Sequence, residues 1–336
     1  MEIRQDQSLR KLNTFGIDAS CSFLVRYDSL QDLELLQRDE FVSESKTLFI
    51  GEGSNLLFLA NFHGIVLISG MKGVELRTSH DPRTVYVEVE GGLCWDEFSR
   101  FCTERGYYGT ENLAMIPGTV GAAARQNIGA YGVEVSSLIE WVQAFDMQSG
   151  MSRTFTVDEL RYGYRYSLFK EPDMSEWVIY KVRFKLSQEF APCLTYKDLA
   201  NRFDSLPSAQ ELREAVVSIR RDKLPATEEV GSAGSFFMNP IVSATEMERL
   251  RAMAPDINSH VLPDGRYKLS AAWLIDQAGL KGYRDGAAGV WHKQPLVLCN
   301  YGGATGSDIG RLAAYVQQKV RDLYGVDLVP EVNYVS

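Results

Sequence analysis

An α+β architecture is what this sequence predicts, and three observations carry the prediction. Two stretches alternate apolar and polar residues with the period of a half-buried strand. "TVYVEVE" puts Val85, Val87 and Val89 on one face, and "WVIYKVRFKL" sets Val178, Tyr180, Val182, Phe184 and Leu186 against Ile179, Lys181, Arg183 and Lys185. The last third instead shows helical spacing behind Ser-x-x-Glu signatures. The 336 residues are 45% hydrophobic and 24% charged, enough apolar material for two or three globular cores.

Taken in order, Ser29-x-x-Asp32 predicts the cap of a helix whose Leu30, Leu33 and Leu36 share a face, followed by the apolar strand "TLFI" and the Gly turn "GEGSN". The two alternating strands come next. A capping box at Ser208 and Glu211 then opens a helix with Leu212, Ala215, Val216 and Ile219 on its inner stripe, ended by Leu224-Pro225. Ser243-x-x-Glu246 opens another. Ile309, Leu312, Ala313, Val316, Val320 and Leu323 form the stripe of a helix that stops at Gly325, and "DLVPEVNYV" is predicted as a final strand.

Composition excludes several classes. Thirty-five basic against 44 acidic residues give a net charge of −9, which argues against nucleic-acid or anionic-membrane partners, so an anionic ligand must meet locally placed basic groups. Cys21, Cys94, Cys102, Cys193 and Cys299 are odd in number and scattered, with no CxxC, so neither a disulfide framework nor a metal site is expected. The start "MEIRQDQSLRK" has no signal-peptide core and no stretch is long and apolar enough to span a membrane, so a cytoplasmic location is expected.

Four motifs bear on chemistry. "GEGSN" follows a strand but fails the dinucleotide fingerprint, because Leu56 stands where the third Gly belongs. An ordinary strand–turn, the commoner case, and a turn that aims backbone N–H groups at a diphosphate both satisfy it, with Ser54 and Asn55 available for side-chain bonds. "IPGTVGAAARQNIGAYG", residues 116–132, has four glycines and three consecutive alanines, a composition expected to weaken a core helix or strand. It fits either a tight crossing between strands or backbone pressed against a flat ligand, with Ile116 and Ile128 against the rings and Gly118 and Gly121 admitting phosphates or ring edges. "RYGYRYSLF", residues 161–169, is either a solvated aromatic–Arg face or the site of one buried Arg165 directed at developing negative charge.

The fourth, "GSAGSFFMNP" at residues 231–240, sets a lone hydroxyl against two rings with no GxSxG elbow and no adjacent His, which disfavours a Ser nucleophile. A Ser that donates a proton is reasonable only towards a strongly basic carbanion, because a hydroxyl is a weak acid. That calls for a reaction that makes carbanions.

Together with "NTFGIDA", "ENLAM", "LTYKDL", "KLP", "YKLSAAWLIDQAGLKGYRDGAAGV" and "PEV", these stretches, in this order, resemble the UDP-N-acetylenolpyruvoylglucosamine reductase family, flavoenzymes of peptidoglycan precursor synthesis. The resemblance spans nearly the whole chain. It implies an FAD-binding fold of the vanillyl-alcohol-oxidase type in two subdomains, 1–71 (with a C-terminal strand from 326–336) and 72–223, plus an α+β substrate-binding domain at 224–325. It implies non-covalent FAD, NADPH as electron donor and a UDP-sugar substrate; a monomer is expected, although the sequence carries no signal of oligomeric state. Gly51, Gly53, Ser54, Asn55, Ile116, Pro117, Gly118, Gly121 and Ile128 match its cofactor-binding positions.

The implied reaction adds a hydride from flavin N5 to the vinyl carbon of the enol ether and leaves charge on C2 and its carboxylate. By match to the family, Arg165 and a protonated Glu331 hold that charge and Ser235 protonates C2. Tyr131, Lys223, Asn239 and Gln294 match substrate-binding positions, and Tyr196 in "LTYKDL" matches the loop of type I members, where a Tyr folds over the diphosphate. Met238 stands where the family often has Lys, and Ala124-Arg125 where it has Pro and an apolar residue. Other flavin oxidases of this fold often carry a His or Cys joined to the flavin, and no His falls in these motifs.

Overall fold

The computed structural model describes residues 1–336, which divide into two compact units. Unit 1 comprises Met1–Gln7, Cys21–Glu52 and His63–Arg220; unit 2 comprises Ser8–Ser20, Gly53–Phe62 and Arg221–Ser336.

Unit 1 holds two sheets. The first contains β1 (Glu2–Ser8), β2 (Ser20–Tyr27), β3 (Thr47–Ile50) and β4 (Phe62–Ser69) in the order β1-β2-β4-β3. Strands β3 and β4 run parallel, Thr47 opposite Ile65. Helix α1 (Leu30–Arg38) starts where its cap predicts, Ser29 accepting the Asp32 N–H, and buries Leu33 and Leu36. The second sheet contains β5 (Val74–Thr78), β6 (Thr84–Glu90), β7 (Ile139–Asp146), β8 (Ser152–Thr156) and β9 (Trp177–Ser187), antiparallel throughout in the order β8-β7-β9-β6-β5. The predicted alternation holds residue by residue in β9, where Val178, Tyr180, Val182, Phe184 and Leu186 are buried.

Helices α2 (Trp95–Glu104) and α3 (Val120–Gln126) add to this core, with Trp95, Phe98 and Phe184 in ring contact at centroid distances of 4.7 to 6.0 Å. Helix α3 is a departure from the expectation for 116–132. Thr119 caps it by accepting the Ala122 N–H, and the three alanines, the best helix formers, carry a short helix that Asn127 ends in left-handed conformation. Helix α4 (Ala209–Lys223) begins at the predicted capping box, Glu211 and Ser208 bonding each other's backbone N–H. Its buried stripe includes Arg213, which apolar spacing does not flag.

Unit 2 is drawn from three separate stretches of chain. Strands β10 (Gly231–Ser235), β11 (Arg284–Asp285), β12 (Ala288–Val290) and β13 (Val297–Asn300) form a sheet in the order β10-β13-β12-β11. Helices α5 (Ala244–Met253), α6 (Ala271–Gln277) and α7 (Gly306–Tyr324) belong to the same unit, and α5 and α7 carry capping boxes at Ser243 and Thr305. Helix α7 ends at Gly325 as its pattern predicts, although Leu323 faces solvent in the last turn. The predicted closing strand is shorter than expected: Asn333–Val335 forms it, parallel to Leu56–Phe58, while the preceding stretch makes only an isolated antiparallel bridge, Pro330 to Phe237. No helix is long and apolar enough to cross a membrane.

The N-terminal "NTFG" run joins unit 2 through its backbone. The Ser232 N–H donates to Thr14 O at 3.0 Å and Asn300 Nδ2 to Phe15 O at 2.9 Å, while the Phe15 and Phe236 rings meet edge to face at 6.2 Å.

Candidate active site

Within unit 1, Gly51 and Glu52 of the "GEGSN" stretch meet the start of the 116–132 segment. A Cβ at Gly51 would stand 2.9 Å from Thr119 Oγ1, and Glu52 accepts the Gly118 N–H at 2.7 Å. At Gly121 a Cβ would lie 3.0 Å from the Ile179 carbonyl, and the Gly121 N–H donates to Gly91 O at 2.9 Å. Bare backbone is therefore required for close approach to the second sheet, one use the sequence left open. Ile116 and Ile128 are half-buried against the same core. Glu52 was missed in the sequence; a carboxylate flanked by two glycines of a turn was the available signal.

Arg165 occupies a left-handed backbone position, φ +53. Its Nη2 donates to Gly129 O at 2.8 Å and its Nη1 to Asn127 O at 3.4 Å. Asn127, fully buried and itself left-handed, donates Nδ2 to Gly163 O at 2.8 Å and accepts the Ser136 N–H at 3.2 Å. One side chain thus ties the segment bearing Arg165 to the Gly-rich stretch. Five of the six non-glycine residues with positive φ, Met115, Asn127, Tyr131, Arg161 and Arg165, fall in 115–131 and 161–165. Strain of this kind, of order 1–3 kcal/mol per residue, persists where the surroundings over-determine it and clusters at functional sites.

Tyr131 and Tyr196, both predicted to close on substrate, lie together in unit 1, their rings edge to face at 5.2 Å. Tyr131 also packs on the core of Leu199, Leu212, Val216 and Ile219, which seats the "LTYKDL" segment on α4. Arg220, absent from the predicted set, is hydrogen-bonded to Tyr131 and interacts electrostatically with Asp96 and Arg165. Burial lowers its pKa, while Tyr131 and Asp96 act in the opposite sense. Nothing along the sequence marks it, since Arg213, seven residues earlier on the same helix face, is itself seen to be buried only in the fold.

Ser235, Glu331, Asn239, Lys223 and Gln294 all fall in unit 2. Ser235 ends β10 and is exposed, after Gly234 at φ +66, where a Cβ would meet nothing within 4 Å. Behind it Phe236 and Phe237 are 0% and 1% exposed, so the bend is anchored in apolar core. The Phe236 N–H donates to Leu296 O at 2.7 Å, and its carbonyl accepts the Glu331 N–H at 2.8 Å. Asn55 secures the same segment, donating Nδ2 to Glu331 O at 3.1 Å and accepting the Asn333 N–H at 3.0 Å. Gly53 is held at φ +65, with the Leu12 carbonyl 1.9 Å from where a Cβ would be.

Asn239 Oδ1 accepts the Ala271 N–H at 3.0 Å at the start of α6, and the Lys223 carbonyl accepts Trp291 Nε1 at 3.0 Å. Gln294 Oε1 is buried with no hydrogen-bond partner. At the departures from the family pattern, the Met238 N–H pairs with Val329 O at 2.9 Å, and burial lowers the pKa of Arg125.

The residues of unit 1 suit a flavin. Gln126 Oε1 is also buried without a partner, and it lies in the stretch that carries the half-buried Ile116 and Ile128. A buried acceptor without a partner, in a segment that also carries apolar side chains, suits a flat ring system bearing N–H groups.

Residues 24–156 match the family model described as "FAD binding domain", and residues 225–335 match "UDP-N-acetylenolpyruvoylglucosamine reductase, C-terminal domain". A UDP-N-acetylenolpyruvoylglucosamine reductase of Porphyromonas gingivalis is 49% identical over 339 residues, covering 100% of both chains. The chain belongs to the UDP-N-acetylenolpyruvoylglucosamine reductase family. A reductase of that name from Pseudomonas aeruginosa is 43% identical, covering 99% of each chain. The crystal structure of the reductase from Thermus caldophilus superposes with a TM-score of 0.71 at 23% identity over 100% of both chains, which shows the shared fold. Membership of this reductase family and the FAD-binding model make the protein an FAD-containing oxidoreductase with the α+β, FAD-binding fold of its class.

Proposed function

We propose that this chain reduces the enolpyruvyl ether of UDP-N-acetylglucosamine enolpyruvate to UDP-N-acetylmuramate, with NADPH as electron donor, in peptidoglycan precursor synthesis. The observation that carries this reading is Ser235: an exposed hydroxyl on a Gly-flanked bend, rigidly backed by two buried rings, with the Glu331 backbone bonded to the next residue. That is a poor arrangement for a nucleophile, having no base beside it in the sequence, and a suitable one for delivering a proton to a strongly basic carbon.

FAD, when bound, supplies the hydride that the vinyl carbon accepts. Ser235 Oγ then gives its proton to C2 of the substrate. Arg165, its guanidinium aligned by the Gly129 and Asn127 carbonyls, stabilises the negative charge that builds on the substrate's carboxylate, and Glu331 does so as the protonated acid. A fixed donor needs no reorganisation when the charge appears, and that is its catalytic advantage. Lys223 and Asn239 serve the anionic groups of the nucleotide, Gln294 offers its unpartnered oxygen to a substrate donor, and Tyr196, 41% exposed, folds over the diphosphate with Tyr131 behind it.

The test is optical. Under anaerobic conditions NADPH is expected to bleach the yellow holoprotein, and the enolpyruvyl UDP-sugar is expected to restore the colour. A protein that NADPH bleaches but this substrate cannot reoxidise would end the proposal.

A further inference from the structure

Met115, at the entrance to the Gly-rich stretch, is left-handed with φ +58 although it carries a Cβ. Both of its backbone polar groups are held from outside the loop. Its N–H donates to Asp96 Oδ1 at 2.5 Å, and its carbonyl accepts from Arg220 Nε at 3.2 Å. Asp96 sits in the first turn of α2, and the same Oδ1 accepts Arg213 Nη2 at 2.9 Å. Arg213 is 7% exposed, so this pair is largely removed from solvent on one side. Three residues beyond Met115, Glu52 takes the Gly118 N–H at 2.7 Å. The run 115–118 is therefore gripped at both ends by carboxylates, and helix α4 acts twice on one strained residue, through Arg213 and Asp96 at its N–H and through Arg220 at its carbonyl.

We propose that Asp96, backed by Arg213, is a positioning residue for the cofactor: it holds Met115 left-handed so that Ile116, Pro117 and Gly118 leave the turn in the geometry that FAD binding requires. The proposal rests on the reading of 116–128 as flavin-binding. Asp96 acts through Met115 and is assigned no contact with the flavin.

The test is FAD affinity, measured by titrating deflavinated protein and following flavin fluorescence. Replacing Asp96 alone strands a buried Arg213, so the informative comparison is Arg213→Met against Asp96→Ala/Arg213→Met. The added loss of the Met115 acceptor is expected to weaken FAD binding about tenfold, the effect of one strained residue left unsupported. Adding Met115→Gly, which makes the left-handed conformation nearly free of strain, is expected to return affinity to within about threefold of Arg213→Met. A role confined to packing α2 on α4 predicts no such rescue.

Asp96→Asn keeps Oδ1 and the side-chain shape, and it gives a second reading if the double variant folds poorly; it is expected to bind FAD within about threefold of the parent. Affinity unchanged on removing the Met115 acceptor, absence of rescue by Met115→Gly, or a tenfold loss in Asp96→Asn each overturns the proposal. Gly118→Val separates the two layers. If it leaves FAD binding intact, the flavin-loop reading and the clamp fall together; if it abolishes binding while the Asp96 variants do nothing, the clamp alone falls.

Discussion

The Glu331 N–H donates to the Phe236 carbonyl at 2.8 Å, so a residue near the end of the chain is fixed beside the bend that carries Ser235. The hydroxyl and the protonated carboxyl group that the proposed mechanism assigns to different duties, giving a proton and stabilising negative charge, therefore share one backbone junction.

Ser235→Ala should leave this junction intact, because Phe236 and Phe237 anchor it without the hydroxyl. Reduction of the flavin by NADPH is expected at the parental rate, and reoxidation by the enolpyruvyl substrate about 10²–10⁴-fold slower, the range lost with a general acid. Stopped-flow absorbance separates the two half-reactions. Parental reoxidation would remove Ser235 from the mechanism.

Arg165→Lys keeps the charge and loses the fork that spans the Gly129 and Asn127 carbonyls. A fall of about 10²–10³ in kcat is expected, as for removal of one preorganised donor, with a smaller change in KM. Steady-state kinetics at saturating NADPH decide it; a change in KM alone would make Arg165 a binding residue.

Gly53→Ala places a methyl 1.9 Å from the Leu12 carbonyl at φ +65, a position where backbone and not a flexible side chain would have to move. Destabilisation of about 1–3 kcal/mol or more is expected from the conformation alone, with loss of FAD retention. Denaturant melts with and without added FAD measure both.

Asp308 binds the Thr305 hydroxyl and N–H at 2.7 and 2.9 Å and Arg311 at 2.7 Å, and these contacts, the Thr305 hydroxyl first, lower its pKa from 3.8 to about 2. The folded state holds this proton more weakly than the unfolded one, so the contribution to stability is complete above pH 3.8 and is lost as pH falls through about 2. The stability gap between parent and Asp308→Asn should accordingly be constant from neutral pH down to about 5 and close towards pH 2. Urea melts across that range test it; a gap that widens on acidification would be inconsistent with a lowered pKa.

The elements most legible in the sequence were those in which local signal and burial agree. Strand β9 alternates because one face is buried, and α1, α4 and α5 begin at side chains that satisfy their own first-turn N–H groups. The setting of Ser235 was partly plain, since the sequence itself sets its lone hydroxyl against two adjacent rings. What stayed hidden depends on through-space partners. Asp96, Glu52 and Arg220 read as ordinary surface charge along the chain, and only the fold shows them on the backbone of Met115 and Gly118. Helix α3 was obscured by its glycines, which mark where chain segments touch and do not end the helix.

Unit 2 is assembled from pieces separated by most of the chain: Asn300 reaches Phe15 across 285 residues, and Asn55 reaches Glu331 across 276. Contacts of such sequence separation require closing very long loops before they stabilise anything, which slows folding. A fragment beginning at residue 221 would lack the Thr14–Phe15 turn against which Gly231 and Ser232 lie. It should therefore collapse with exposed Phe236 surface and be captured by chaperones, even though it carries the proposed proton donor and nearly all of its own helices.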